Sequence, residues 1–276
     1  MTREQRELAG GGRNATRPLL ALAVGLLLSL LVAAVASVPA AEAVARVGPI
    51  SQVNGFPLWY QDATGLRLDL CLDQGVEPVD PNREPGLCLT GLNNPDAPPT
   101  LDNWADVEAF WWQGEASIER RAGGRALLVL AAEAAFANEQ AVDGDQISFG
   151  RIRVRVDNLR PNTVYTVTHP YGVMRLRSDA TGVINVTRDV GCAATPCNFA
   201  AALRSPVFQS FLRWDPRVGA PAPAGHIGDP TRLHRVVGSP RGTNFFRIDG
   251  PDAGGRGTGI DRVQTSLFSI QGRRAN

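Results

Sequence analysis

"FGRIRVRVDNLRPNTVYTVTHPYG", Phe149 to Gly172, switches chemistry at every second residue. Ile152, Val154 and Val156 alternate with Arg151, Arg153 and Arg155, which predicts a strand with one buried and one wet face. "DNLRPN" then breaks the pattern with turn residues. Beyond it, Tyr165 and Val167 resume a period of two, with His169 on the same core-facing parity. Two strands this regular, with no helical period between them, point to an all-β chain.

The pattern extends in both directions. In "GFPLWYQDATGLRLDLCLDQG", Gly55 to Gly75, the segments Phe56–Asp62 and Leu66–Asp73 flank a DATG turn and predict a hairpin, with Leu66, Leu68, Leu70 and Leu72 on one side. In "EAFWWQGEASIE" a strict alternation puts Phe110, Trp112, Ala116 and Ile118 on the apolar face. It leaves Trp111 among Gln113, Glu115 and Ser117 on the polar one. "RALLVLAAEAAFANE" is rich in helix formers but follows an Arg-Ala-Gly-Gly-Arg turn between two strands, and reads as a buried strand. "GVMRLRSDATGVINVTRD" carries a second DATG between two more strands, a shared turn solution and not an internal repeat. "SPVFQSFLRW" has room for a short helix, and "TNFFRIDG" and "VQTSLFSIQG" add strands near the end. Two Pro-rich stretches, residues 91–106 and 215–230, read as loops.

Within this frame Leu159-x-Pro161-x-Thr163-x-Tyr165-x-Val167 resembles the tyrosine corner of fibronectin type III and immunoglobulin-like sandwiches. The resemblance implies that the Tyr165 hydroxyl bonds to backbone upstream while its ring fills the core beside Leu159. The segments "GFPLWYQDATGLRLDLCLD", "FGRIRVRV", "YTVTHPYG", "GTNFFRIDGP" and "SLFSIQG" are similar to a group of exported bacterial proteins of unassigned function. That likeness implies a surface or secreted protein and carries no catalytic or binding residues with it.

The N-terminus fits export. Arg3, Arg6, Arg13 and Arg17 precede the uncharged run Leu19–Val38, which is followed by small-residue cleavage candidates. Residues 1–43 are expected to be a cleaved signal or an uncleaved anchor in contact with the membrane, with the chain beyond outside. All 28 basic residues are Arg; after the four Arg and three Glu of residues 1–43, 24 basic and 24 acidic residues remain. That balance gives no long-range attraction for nucleic acid.

Four cysteines follow: Cys71, Cys88, Cys192 and Cys197. An even count outside the membrane reads as disulfides. Leu70-Cys71-Leu72 and Leu87-Cys88-Leu89 place each thiol opposite its leucines, so two adjacent strands would bring Cys71 to Cys88 on the wet face. Cys192 and Cys197 would form a local clip. The other two pairings remain open to the sequence.

Candidate site residues are few. Arg151, Arg153 and Arg155 line one face and suit an acidic or sulfated glycan, with Glu115 and Glu119 as the alternative cross-sheet partners. Trp111 suits a sugar ring or a partner, or burial under the N-terminal hairpin. His226, Asp229 and His234 are weak metal candidates, and His169 reads as a hydrogen-bonded core histidine. Serine-hydrolase, zinc-protease and phosphate-loop motifs are absent, and no cofactor is expected.

The expectation is therefore an antiparallel β-sandwich of fibronectin or immunoglobulin type over residues 105–276. A disulfide-clipped N-terminal hairpin over residues 44–104 packs against it. The function expected is non-catalytic: extracytoplasmic binding of a glycan or envelope component, or a structural role there. The alternative is a secreted hydrolytic or carbohydrate-active enzyme using the loop at residues 215–235.

Overall fold

A computed structural model describes residues 44–275; the signal or anchor expected over residues 1–43 lies outside them. In chain order the N-terminal strands are β1 (Arg46–Val47), β2 (Trp59–Gln61) and β3 (Arg67–Asp69). Three long strands follow: β4 (Glu108–Glu119), β5 (Arg125–Phe136) and β6 (Gln146–Val156). The next are β7 (Val164–His169), β8 (Gly172–Arg177), β9 (Ile184–Cys192) and β10 (Arg213–Trp214). The last are β11 (His234–Val237), β12 (Phe246–Asp249), β13 (Arg262–Thr265), β14 (Leu267–Gln271) and β15 (Arg273–Arg274). Short 3₁₀ turns include Phe199–Arg204 and Pro206–Gln209, the latter within the stretch expected to hold a short helix. Among the described residues no helix is long and apolar enough to cross a membrane.

The strands form three antiparallel sheets. The largest runs β10-β11-β14-β4-β5-β6-β9, a second runs β13-β12-β7-β8, and a small one runs β1-β2-β3-β15. In the large sheet Leu128 opposes Ala116 on one side and Val154 on the other, and Leu130 opposes Gly114 and Ile152. Ala116, Leu128, Leu130, Ile152 and Val154 join Tyr165 and Val167 of β7, Phe246 and Ile248 of β12, and Tyr60 and Leu68 of the hairpin in one hydrophobic cluster. The strand reading of Arg125–Phe136 holds despite its helix formers, because β5 has a partner along its whole length on both sides. Tertiary pairing outweighs helix propensities of a few tenths of a kcal/mol per residue.

The two DATG segments adopt the same turn. Oδ1 of Asp62 accepts from Thr64 N–H, Thr64 Oγ1 and Leu66 N–H. Asp179 does the same with Thr181 N–H, Thr181 Oγ1 and Val183 N–H. The second oxygen of Asp62 accepts from Phe211 N–H at 2.7 Å, tying the hairpin turn to the distant chain. At the start of β7, Tyr165 is buried, as is Leu159 in the turn before it, and both belong to the shared core. The Tyr165 hydroxyl donates to the Pro251 carbonyl and accepts from the upstream Arg160 N–H. Gly250 presses on this ring: a Cβ there would sit 2.6 Å from Tyr165 Cδ1.

Both expected disulfides, Cys71–Cys88 and Cys192–Cys197, are formed. The wet-face position of Cys71 is corrected: it is 1% exposed. β3 ends at Asp69, so the Leu/Asp alternation stops before Cys71 and Leu70 and Cys71 are both buried. The Cys71 N–H donates to the Phe110 carbonyl, turning the chain onto β4. Cys88 sits in an isolated parallel bridge with Gly75, not in a second antiparallel strand.

Candidate functional site

The arginine face of β6 exists, but two of its three members are engaged. Arg151 lies 2.9 Å from Glu133 of β5 and takes Asp189 of β9 through two nitrogens. Arg153 donates to Thr187 Oγ1. Partial burial, with Arg151 and Arg155 on either side, pushes its guanidinium below its ordinary value. Arg155 is exposed and lines a cleft of about 340 Å³ with Arg125 and Asn185. The expected pairing with Glu115 and Glu119 is corrected. Both face Arg125, because β5 lies between β4 and β6 and holds them two strands apart.

Trp111 is 0% exposed, so a ligand-stacking role is replaced by the hairpin-covered one. The register slips between Phe110 and Trp112, leaving Trp111 as the extra residue of a β-bulge. A bulge breaks the period of two and turns neighbouring side chains to the same face. Trp111 therefore enters the core with Trp112, against Tyr60 and Phe56 of the hairpin segment. Its indole N–H donates to the Pro57 carbonyl at 3.0 Å.

The histidine loop does not assemble a metal site. Among the described residues, no group of three or more His, Cys, Asp or Glu side chains could hold a metal ion. Asp229 accepts from Thr231 N–H and Oγ1, closing a turn. His234 stacks on Trp214, with ring centroids 4.4 Å apart, and His226 bonds through Nδ1 to the Ala224 carbonyl. His226 does share a recess of about 160 Å³ with Asp215. Arg217 holds both oxygens of that carboxylate and lowers its pKa to about 2, so it is a poor proton acceptor. His169 is a core histidine: its Nδ1 accepts from Tyr171 N–H, and burial pushes its pKa down to about 4, helped by Arg188 and Arg241.

The most coherent site is one that sequence reasoning missed. An open cleft of about 570 Å³ is lined by Arg67, Arg213 and Arg274, together with the DATG turn at Thr64 and Gly65. None of its described lining residues is acidic. None of the three arginines has an ion-pair partner among the described residues. Arg67 is fixed in place: its Nε donates to Gln61 Oε1 at 2.8 Å and its guanidinium lies 4.6 Å over Trp59. The arginines come from β3, β10 and β15, and Arg67 and Arg274 meet because β15 pairs with β3 through Arg273↔Asp69 and Arg274↔Leu68. No local pattern announces that pairing. Three always-charged, fork-shaped donors around one opening suit a carboxylate, sulfate or phosphate group.

No protein-family model, curated protein or solved structure matches this chain.

Proposed function

We propose that this is an exported, non-catalytic binding protein that holds an anionic ligand of the cell envelope or its surroundings. The observation that carries the reading is the cleft of Arg67, Arg213 and Arg274, without an acidic residue in its described lining. Export is supported by the order of charge and apolarity over residues 1–43 and by two disulfides in a chain with no free cysteine among its described residues. In this reading the two larger sheets are an immunoglobulin-like or fibronectin-like sandwich. The hairpin before residue 104 is an extension stapled by Cys71–Cys88 that contributes one wall of the site. The ligand is an acidic glycan or another anionic envelope polymer. With 24 basic and 24 acidic residues after residue 43, attraction is local to the cleft and not a property of the whole surface.

The test is binding of the purified protein to carboxylated, sulfated and phosphorylated glycans against neutral ones, at low and high salt. Removing one charge-assisted hydrogen bond costs about 1.5–3 kcal/mol. Replacing Arg67, Arg213 and Arg274 together with Ala should therefore abolish measurable binding, and salt should weaken the parent. Equal binding of neutral glycans, or full binding by the triple variant, overturns the reading.

A further inference from the structure

Next to the arginine cleft lies a second one, of about 400 Å³, with different chemistry. Pro57, Leu58 and Leu72 give it apolar walls, and Asp69 and Arg273 give it polar ones. Leu58 is 48% exposed there, an aliphatic side chain left open to solvent at the mouth. The two clefts adjoin through shared elements. Arg67 lines the first and stacks on Trp59, which lines the second.

The polar groups of this second cleft have open valences. The Asp69 carboxylate makes no hydrogen bond among the described residues, and burial pushes its pKa up against the opposing pull of Arg273. The Arg273 guanidinium is held by the Leu70 carbonyl at 3.1 Å and lies 3.6 Å from Asp73, yet its buried Nε has no partner among the described residues. The Trp59 indole is locked between Arg67 and Gly48, where a Cβ would come within 2.7 Å of the ring. It therefore serves as a rigid wall and not as a free stacking platform.

We infer that the two clefts form one composite site for an acidic saccharide. The anionic group lies among Arg67, Arg213 and Arg274, and the adjoining sugar ring lies between Asp69, Arg273 and the Pro57–Leu58 wall. A pyranose offers hydroxyls at its edge and C–H groups on its faces. Asp69 accepts from those hydroxyls, Arg273 donates to them, and Leu58 and Pro57 cover a C–H face. Arg67 and Asp69 are two residues apart on β3, about 6.6 Å in an extended strand, a spacing one sugar ring bridges. This inference rests on the anion-binding reading above and adds the ring subsite to it.

The experiment is isothermal titration calorimetry on the full chain in detergent. The probes are inorganic phosphate, an oligomer of galacturonic acid, the same oligomer methyl-esterified, and hexaglutamate. The acidic oligomer should bind at least tenfold more tightly than phosphate, its ester or hexaglutamate. Asp69→Asn should weaken the acidic oligomer about tenfold, the loss of one charge-assisted hydrogen bond, and bind phosphate no more weakly than the parent. Leu58→Gln, at an exposed position, strips the apolar cover from the ring without adding charge and should weaken the acidic oligomer but not phosphate, its thermal melt confirming a folded protein. If both variants bind the acidic oligomer as the parent does, the ring subsite is overturned while the arginine cleft stands. If hexaglutamate binds as tightly as the oligomer, the saccharide assignment fails in favour of an acidic peptide. If the parent binds neither phosphate nor the oligomer, the anion reading itself falls.

Discussion

Arg151 places its Nη1 2.9 Å from Oε1 of Glu133, a carboxylate only 1% exposed on the face of the large sheet. Burial pushes Glu133 up to about 8; Arg151 pulls the other way, and the nearby Glu108 adds to the rise. The folded protein therefore holds a proton on Glu133 that the unfolded chain, with a carboxyl near its ordinary value, releases between about pH 4.5 and 8.

The sign follows from that difference. Through this window the folded state binds more protons, so the contribution of Glu133 to stability falls as pH rises from about 5 to 8. Glu133→Gln keeps an acceptor for Arg151 and removes the titration. Urea midpoints at pH 5 and pH 8 should diverge less in the variant, and at pH 8 the variant should be the more stable. A parent whose stability difference between those pH values matches the variant's would show that Glu133 does not titrate there.

Tyr165 carries the corner before β7. Its hydroxyl serves two backbone groups, the Arg160 N–H at 3.1 Å and the Pro251 carbonyl at 2.7 Å. Tyr165→Phe leaves both without that partner and should cost about 2–3 kcal/mol. Tyr165→Ala also opens a cavity and should cost about 3–5 kcal/mol. Chemical denaturation of both variants checks the order. A Phe variant as stable as the parent would mean that neither bond contributes.

Trp111 ties the hairpin to the large sheet through its packing on Tyr60 and its bond to Pro57. Trp111→Ala should cost about 3–5 kcal/mol. Because the packing removed is against the hairpin segment, amide exchange should accelerate most at Tyr60 and Leu68. Uniform acceleration across the large sheet would contradict a role specific to the hairpin.

What the sequence reveals and what it hides divide along physical lines. Period-two strands are legible wherever one face is buried, as at Ile152, Val154 and Val156. The DATG turns are legible because Oδ1 of Asp62 and of Asp179 bonds only to residues two and four places on. Trp111 reads onto the wrong face because a single bulge inverts parity, and nothing in "EAFWWQGEASIE" marks where it falls. Glu115 and Arg125 do not read as partners because cross-strand pairs depend on strand order. The arginine cleft is hidden for a related reason: Arg67 and Arg274 become neighbours only through the pairing of β3 with β15.

The two disulfides close loops of unequal length. Mass spectrometry of the non-reduced protein should show the Cys71 and Cys88 peptides linked to each other, and Cys192 linked to Cys197. Their sequence separations are 17 and 5. In the chain-entropy model the longer loop restrains the unfolded chain more, by about 1 kcal/mol. Cys71→Ala with Cys88→Ala should thus lower stability by about 2–4 kcal/mol without unfolding the protein, since Leu68 and Tyr60 still pack into the shared core. Cys192→Ala with Cys197→Ala should cost about 1 kcal/mol less. Burial acts in the same direction, because Cys71 and Cys88 are 1% and 2% exposed whereas Cys192 is 9% exposed. If removing the short loop proves the more damaging change, neither loop closure nor burial sets what these bonds contribute, and the Cys192–Cys197 segment beside β9 is the part whose order the fold depends on.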